Sequence, residues 1–196
     1  MLLLFVGAAT SCSESDGDDT DEYANWQVRN ETYFATLEDS LSRGGSAWKK
    51  VKNFTKDENT TTANTDYIYV KVLEQGSGTA SPTYTDLVRI SYRGRLIPTV
   101  NYPRGFVFDQ TYTGNYSLQT TGVISSQISY LCDGVATALQ HMHNGDRWLV
   151  YIPYQLGYGT TSNDLVPAYS VMIFDLVLLD FVPEGEDFEE WSSRQW

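Results

Sequence analysis

The C-terminal third of the chain contains an order of elements that leaves few folds open. A helical pattern over residues 134–143 stops at Gly145, because glycine readily adopts the backbone conformation that ends a helix. An aromatic-rich strand then covers 146–153, a Leu-Gly-Tyr-Gly turn follows at 156–159, and an apolar strand covers 171–181. One short helix set between strands of one sheet indicates an α+β fold.

The residues upstream of this helix extend the same sheet. Apolar residues alternate with polar ones over 67–73, 86–96 and 106–109, which is the period of a half-buried strand. A long connection, 97–105, separates the second of these strands from the third. We therefore predict one domain over 66–182, in which an antiparallel half-barrel sheet wraps around one short helix.

Four blocks of this domain resemble a known family. They occur in the order Val88-Arg-Ile-Ser-Tyr-Arg-Gly-Arg-Leu96, Val107-Phe-Asp-Gln-Thr111, 145–159 and 171–179. Together they resemble FKBP-type peptidyl-prolyl cis-trans isomerases over about residues 66–181. The resemblance implies the FKBP-like half-barrel and an isomerase that needs no cofactor and no metal. It also implies proline-containing polypeptides as substrates, macrolides as ligands, and a role in the folding of exported proteins.

The resemblance also implies a set of site residues. The catalytic positions that it implies are Tyr92, Phe108, Asp109, Tyr158 and Phe174. The substrate-binding positions that it implies are Leu118, Leu131, Cys132, Val135 and Val166. A carboxylate at the end of an apolar strand needs a hydrogen-bonding partner, and we expect the Tyr92 hydroxyl to be the partner of Asp109.

Two positions depart from the pattern of the family. Val135 stands where the family commonly has an aromatic pocket floor, and Gly114 stands where an Arg near the Asp is common. They keep open a second hypothesis, in which the fold serves as a non-catalytic peptide- or protein-binding module. In a third hypothesis the chain is a structural accessory lipoprotein and the pocket is vestigial.

Composition and histidine spacing exclude several other classes of function. The net charge of −12 argues against nucleic acid, because binding to phosphates requires Lys and Arg. The two histidines, His141 and His143, are two residues apart and point to different sides of a helix, so they cannot share a metal ion. The sequence contains no Gly-x-Ser-x-Gly elbow and no phosphate-binding Gly-x-x-x-x-Gly-Lys loop.

Residues 1–22 are typical of a bacterial lipoprotein signal followed by a linker. A short apolar run, 2–9, ends in Ala9-Thr-Ser-Cys12, where Cys12 is the expected lipidation site. In the alternative interpretation the run is an ordinary signal peptide and Cys12 is incidental. The linker over 13–22 is acidic and has no apolar residues to bury. We expect a monomer that is anchored by lipid in the bacterial cell envelope, on the periplasmic or the outer surface.

The remaining segments flank the predicted domain. Residues 23–65 form an N-terminal extension, in which 23–43 carries an apolar helical stripe with one polar interruption, Asn30. This helix either packs on the surface of the domain or serves as a dimerising arm. The extension passes through a basic patch at 49–52 into a Thr/Asn-rich linker, and residues 183–196 form a loosely held acidic tail.

Overall fold

A computed structural model describes residues 21–57, 59–60 and 62–190 of the chain. The predicted signal with Cys12 lies outside these residues. The two helices are α1 (Trp26–Arg43) and α2 (Asp133–Leu139). The strands are β1 (Trp48–Lys52), β2 (Tyr67–Glu74), β3 (Leu87–Arg95), β4 (Val107–Gln110), β5 (Ile124–Gln127), β6 (Arg147–Ile152) and β7 (Met172–Val182). Among the described residues, no helix is long and apolar enough to cross a membrane.

The strands form one open antiparallel sheet in the order β1-β2-β6-β7-β3-β4, so β3 lies next to the edge. One side of β3 pairs along its whole length with β7. Its other side is divided between two short strands, because 93–95 pair with β4 whereas 87–90 pair with β5. The predicted α+β half-barrel is confirmed, with seven strands in the described part of the chain.

The helix α2 lies against the concave face of the sheet and completes the core. Gly134 permits this close contact, since a Cβ atom there would lie 2.3 Å from Cγ2 of Ile152 on β6. The helix is shorter than predicted and ends at Leu139. Beyond it, the backbone of His141 and Met142 bonds to carbonyls three residues earlier, which tightens the last turn.

The first helix packs on the domain through its apolar stripe. Trp26, Phe34 and Leu37 are buried on this face, together with the polar Asn30, which is 0% exposed. Asn30 Nδ2 donates to the Trp26 carbonyl at 2.7 Å, and Asn30 Oδ1 accepts from the Val171 backbone N–H at 2.8 Å. The polar interruption in the stripe therefore fixes the helix to the start of β7.

Two strands, β1 and β5, were not predicted. The sequence of β1, Trp48-Lys-Lys-Val-Lys52, was interpreted as a basic patch, yet it pairs with β2 at the edge of the sheet. Lysine is common on edge strands, where its charge opposes further pairing. Lys50 also forms an ion pair with Glu38 of α1 at 3.1 Å. Strand β5 is short and its residues are mostly polar, so the sequence over 124–127 shows no alternation of apolar and polar residues.

Asn30→Ala should destabilise the protein through the interface of α1 with the domain. The substitution leaves the buried Val171 N–H without its acceptor, and we expect the free energy of unfolding to fall by about 1–3 kcal/mol. Denaturant unfolding measures this change. The control is Gln27→Ala, on the exposed face of the same helix, which should change the stability by less than about 0.5 kcal/mol. Equal stability of the two variants would contradict the docking role of Asn30.

Candidate functional site

A cavity of about 190 Å³ opens between the sheet and the N-terminal end of α2. The described residues that line it are mostly apolar and come from β3, β4, β5, β7, α2 with the segment before it, and the turn after β6. They are Ile90, Tyr92, Phe108, Asp109, Ile124, Tyr130, Leu131, Cys132, Val135, Tyr158, Phe174 and Leu176. The cavity therefore joins residues that are up to 86 positions apart, from Ile90 to Leu176.

One wall of the cavity is aromatic. The Phe108 and Phe174 rings meet edge to face with 5.6 Å between their centroids, and the Tyr92 ring lies 5.9 Å from that of Phe174. Gly94 of β3 provides the space for both phenylalanines, because a Cβ atom there would lie 2.6 Å from Phe108 and 2.9 Å from Phe174. Such edge-to-face contacts stabilise the wall beyond the burial of its area.

A hydrogen bond between Tyr92 and Asp109 lies at the polar side of this wall. The Tyr92 hydroxyl donates to Asp109 Oδ2 at 2.6 Å, as expected from the sequence. Burial, the hydrogen bond and the negative charge of Asp109 raise the pKa of the Tyr92 hydroxyl, so it remains a donor at neutral pH. The Asp109 side chain is nevertheless exposed, so its negative charge remains solvated.

The turn after β6 brings the hydroxyl of Tyr158 to the cavity. Tyr158 is 48% exposed, and its hydroxyl makes no hydrogen bond to any residue in the described ranges. Burial, followed by the charges of Cys132 and Asp109, raises the pKa of this hydroxyl, so it too stays protonated. An uncommitted donor at the mouth of an apolar cavity can bind a carbonyl oxygen of a ligand.

The cavity contains a thiol, but not a reactive one. Burial raises the pKa of the Cys132 thiol to about 11, so the nucleophilic thiolate is scarce at neutral pH.

The two histidines contact different groups. His141 Nδ1 contacts the Thr137 carbonyl, whereas His143 lies 3.5 Å from Asp146. In the part of the chain that the structure describes, no three His, Cys, Asp or Glu side chains lie close enough together to hold a metal ion.

A comparison with known protein families identifies the family to which this chain belongs. The family model described as FKBP-type peptidyl-prolyl cis-trans isomerase matches residues 78–179, just over half of the 196-residue chain. The chain belongs to this family. The matched range includes every residue that lines the cavity, from Ile90 to Leu176.

Relatives with curated names agree with this assignment. The macrophage infectivity potentiator of Trypanosoma cruzi is 32% identical over 115 residues, which are 58% of this chain and 53% of that protein. The isomerase FkpA of Escherichia coli K12 is 30% identical over 132 residues, which are 67% of this chain and 44% of FkpA. The chain thus spans about half the length of the curated relatives that it matches.

Solved structures show the same fold. The crystal structure of Escherichia coli FkpA superposes with a TM-score of 0.57 at 24% identity, covering 82% of this chain and 62% of that one. A peptidyl-prolyl isomerase from Pseudomonas syringae superposes with a TM-score of 0.56 at 21% identity, covering 81% of this chain and 95% of that one. At these sequence identities the superpositions show similarity of the fold alone.

Eight of the ten predicted site side chains of this FKBP-type domain line the cavity, and two do not. Leu118 lies half-buried in the loop after β4. Val166 is buried, and its backbone N–H and carbonyl both bond to Asn163, so it shapes the loop before β7. Gly114 also lies elsewhere, with φ +69°, beside Arg93 in a polar cleft apart from the cavity. The functional roles of all ten residues remain predictions.

Four lining residues were missed by the sequence analysis. Ile90 lies two positions before Tyr92 on β3, and Leu176 lies two positions after Phe174 on β7. The two-residue period of a strand could have identified both, because alternate side chains share a face. Ile124 and Tyr130 come from β5 and the segment that follows it, where the sequence offers no local pattern.

Gly94→Ala should disturb the aromatic wall. The added methyl group would overlap the Phe108 and Phe174 rings, and overpacking of this kind costs about 1–3 kcal/mol of unfolding free energy. Near-ultraviolet circular dichroism should also change, because it reports the packing of these rings. Lys71→Ala, at an exposed position of β2, is the control and should alter neither measurement. An unchanged spectrum for Gly94→Ala would mean that the rings do not rest on this backbone.

Proposed function

We propose that this FKBP-type domain is a peptidyl-prolyl cis-trans isomerase that acts on proline-containing polypeptides and assists the folding of exported proteins. The observation that carries the proposal is the aromatic-walled cavity with the uncommitted Tyr158 hydroxyl at its mouth. A cavity of about 150 Å³ can bind benzene in another protein. The 190 Å³ present here therefore suits a five-membered prolyl ring.

The reaction requires no nucleophile, metal or cofactor. Amide resonance sets the barrier to rotation about the bond before proline at roughly 18–20 kcal/mol. The twisted transition state has lost this resonance and is less dipolar than the planar amide. The apolar wall therefore disfavours the planar ground state relative to the twisted state. A reduction of the barrier by ~7 kcal/mol corresponds to a rate about 10⁵-fold higher.

The proposed roles of the polar groups follow from their positions. The Tyr158 hydroxyl would donate to a carbonyl oxygen of the bound peptide. The bond from Tyr92 to Asp109 would hold the tyrosine ring in the wall while the carboxylate stays in contact with solvent. Leu131, Cys132 and Val135 would contact the peptide from the side of α2. Macrolides that mimic proline would occupy the same cavity.

Tyr158→Phe should lower activity without affecting folding. The change removes one donor and almost no apolar area, so kcat/KM on a proline peptide should fall by roughly two- to tenfold, the equivalent of one neutral hydrogen bond. Affinity for the macrolide rapamycin should fall by a similar factor. The control is Tyr84→Phe, a partly exposed tyrosine that lies against Phe54 and does not line the cavity.

The same assay separates isomerase activity from simple binding. An unchanged rate for Tyr158→Phe beside a normal Tyr84→Phe would remove this hydroxyl from the mechanism. A wild-type chain that binds proline peptides but does not accelerate their isomerisation would be a non-catalytic binding module. The aliphatic Val135, which lines the cavity where the family commonly has an aromatic residue, is the feature that would then explain the loss of activity.

We further propose that the protein is a lipid-anchored monomer of the bacterial cell envelope. The support is the apolar run that ends at Cys12 and the acidic segment that follows it. Replacement of Cys12 by Ser should move the full-length protein from the membrane fraction to the soluble fraction on ultracentrifugation. Retention of the Cys12→Ser variant in the membrane fraction would contradict lipidation at this residue.

A further inference from the structure

A second cleft adjoins the cavity on the side of strand β5. It encloses about 430 Å³ between residues 125–127 of β5 and residues 184–187 of the C-terminal tail. Tyr130 lines both spaces and is 81% exposed. Ile124 lines the cavity and its neighbour Ser125 lines the cleft, so the two spaces lie on either side of strand β5 and meet at Tyr130, because successive side chains of a strand point to opposite faces. A polypeptide whose proline occupies the cavity can therefore continue into the cleft.

The tail that forms one side of this cleft has a defined position. The Arg89 guanidinium of β3 lies 4.2 Å from the centre of the Phe188 ring and donates to the Glu189 carbonyl at 2.8 Å. A turn closed by the bond from Glu186 N–H to the Pro183 carbonyl precedes this contact. Residues 183–190, which the sequence indicated to be loosely held, are thus fixed against the sheet.

The tail brings three carboxylates to the cleft, those of Glu184, Glu186 and Asp187, and all three residues are exposed. No Lys or Arg of the described ranges forms a salt bridge with any of them. They also do not converge on one point, because no metal-binding group of three such side chains occurs in those ranges. Carboxylates that are separated along a cleft suit an extended basic chain better than a single cation.

We propose that this cleft binds the polypeptide segment next to the target proline and favours clients with Lys or Arg within a few residues of it. The proposal rests on the isomerase function above and names the class of client. Its grounds are the continuity of the cleft with the cavity through Tyr130 and the complementary charge. The net charge of −12 acts in the same direction, since it repels acidic clients at long range.

The test compares rates on matched proline peptides with the full-length chain. One peptide carries Lys on the N-terminal side of the X–Pro bond, a second carries Lys on the C-terminal side, and a third carries Glu at both places. Nuclear magnetic resonance exchange measures isomerisation without a coupled protease, which would have a charge preference of its own. We expect kcat/KM for one of the Lys peptides to exceed that for the Glu peptide by roughly three- to tenfold, as a few exposed ion pairs would produce.

Two triple variants that each remove three negative charges show which residues cause this preference. Glu184→Gln, Glu186→Gln and Asp187→Asn together should reduce it to less than about twofold, while the rate on an uncharged peptide stays the same. The matched control is Glu31→Gln, Asp39→Asn and Asp57→Asn, on α1 and the loop after β1, which should keep the preference. A concentration of 1 M NaCl, where the Debye length is about 3 Å, should abolish it in the wild type.

The outcomes separate the cleft from the isomerase function. If the protein is active but shows equal rates and equal dissociation constants for the Lys and Glu peptides, the proposed role of the cleft is overturned and the isomerase function stands. Loss of the preference in the control variant would also overturn it, because net charge rather than the cleft would then be responsible. If no peptide is isomerised, the isomerase proposal fails, and the dissociation constants of the same peptides then test the cleft. Tighter binding of a Lys peptide that the tail variant loses would support binding at the cleft. Equal dissociation constants for the Lys and Glu peptides would overturn it.

Discussion

The bare backbone at Gly94 is the constraint on which the candidate site depends. Phe108 and Phe174 occupy the volume that any side chain at this position would fill, with ring atoms 2.6 Å and 2.9 Å from the site of an absent Cβ. The two rings come from strands on opposite sides of β3, so they meet only because the strand between them carries no side chain at this position. Tyr92, two residues earlier on β3, then completes the wall and presents its hydroxyl to Asp109.

A second close contact positions the other half of the cavity. Gly134 lets α2 approach β6, and the segment that leads into the helix contributes Leu131 and Cys132. Both close contacts use glycine because closely packed interiors leave no spare volume for a methyl group. Gly134 thus sets the distance between the helix and the sheet, Gly94 lets the two rings approach β3, and the cavity is the space that remains between them.

The N-terminal helix is coupled to this arrangement through a polar contact. Asn30 satisfies the backbone of Val171, and the Trp26 indole N–H donates to the Ser170 hydroxyl at 2.8 Å. Both contacts hold the start of β7, the strand that carries Phe174 into the aromatic wall. A buried amide with its donors and acceptors satisfied specifies one position of the helix, whereas an apolar residue would permit the helix to slide. The extension thus supports the strand from which part of the site is built.

The sequence by itself determined the α+β class, five of the seven described strands and both helices, because these follow from local periodicity. Most of the cavity wall was indicated by the resemblance of four sequence blocks to the FKBP-type family and not by periodicity. The sequence also indicated the partner of Asp109, since the two strands that carry Tyr92 and Asp109 pair as a hairpin. Only the tertiary structure decided the pairing of β1, the place of Asn30, and the contributions of Ile124 and Tyr130 to the cavity. It likewise decided that the acidic tail returns to β5, far away in sequence. These features depend on contacts between distant segments, and such contacts arise from the packing of the whole sheet rather than from any local pattern.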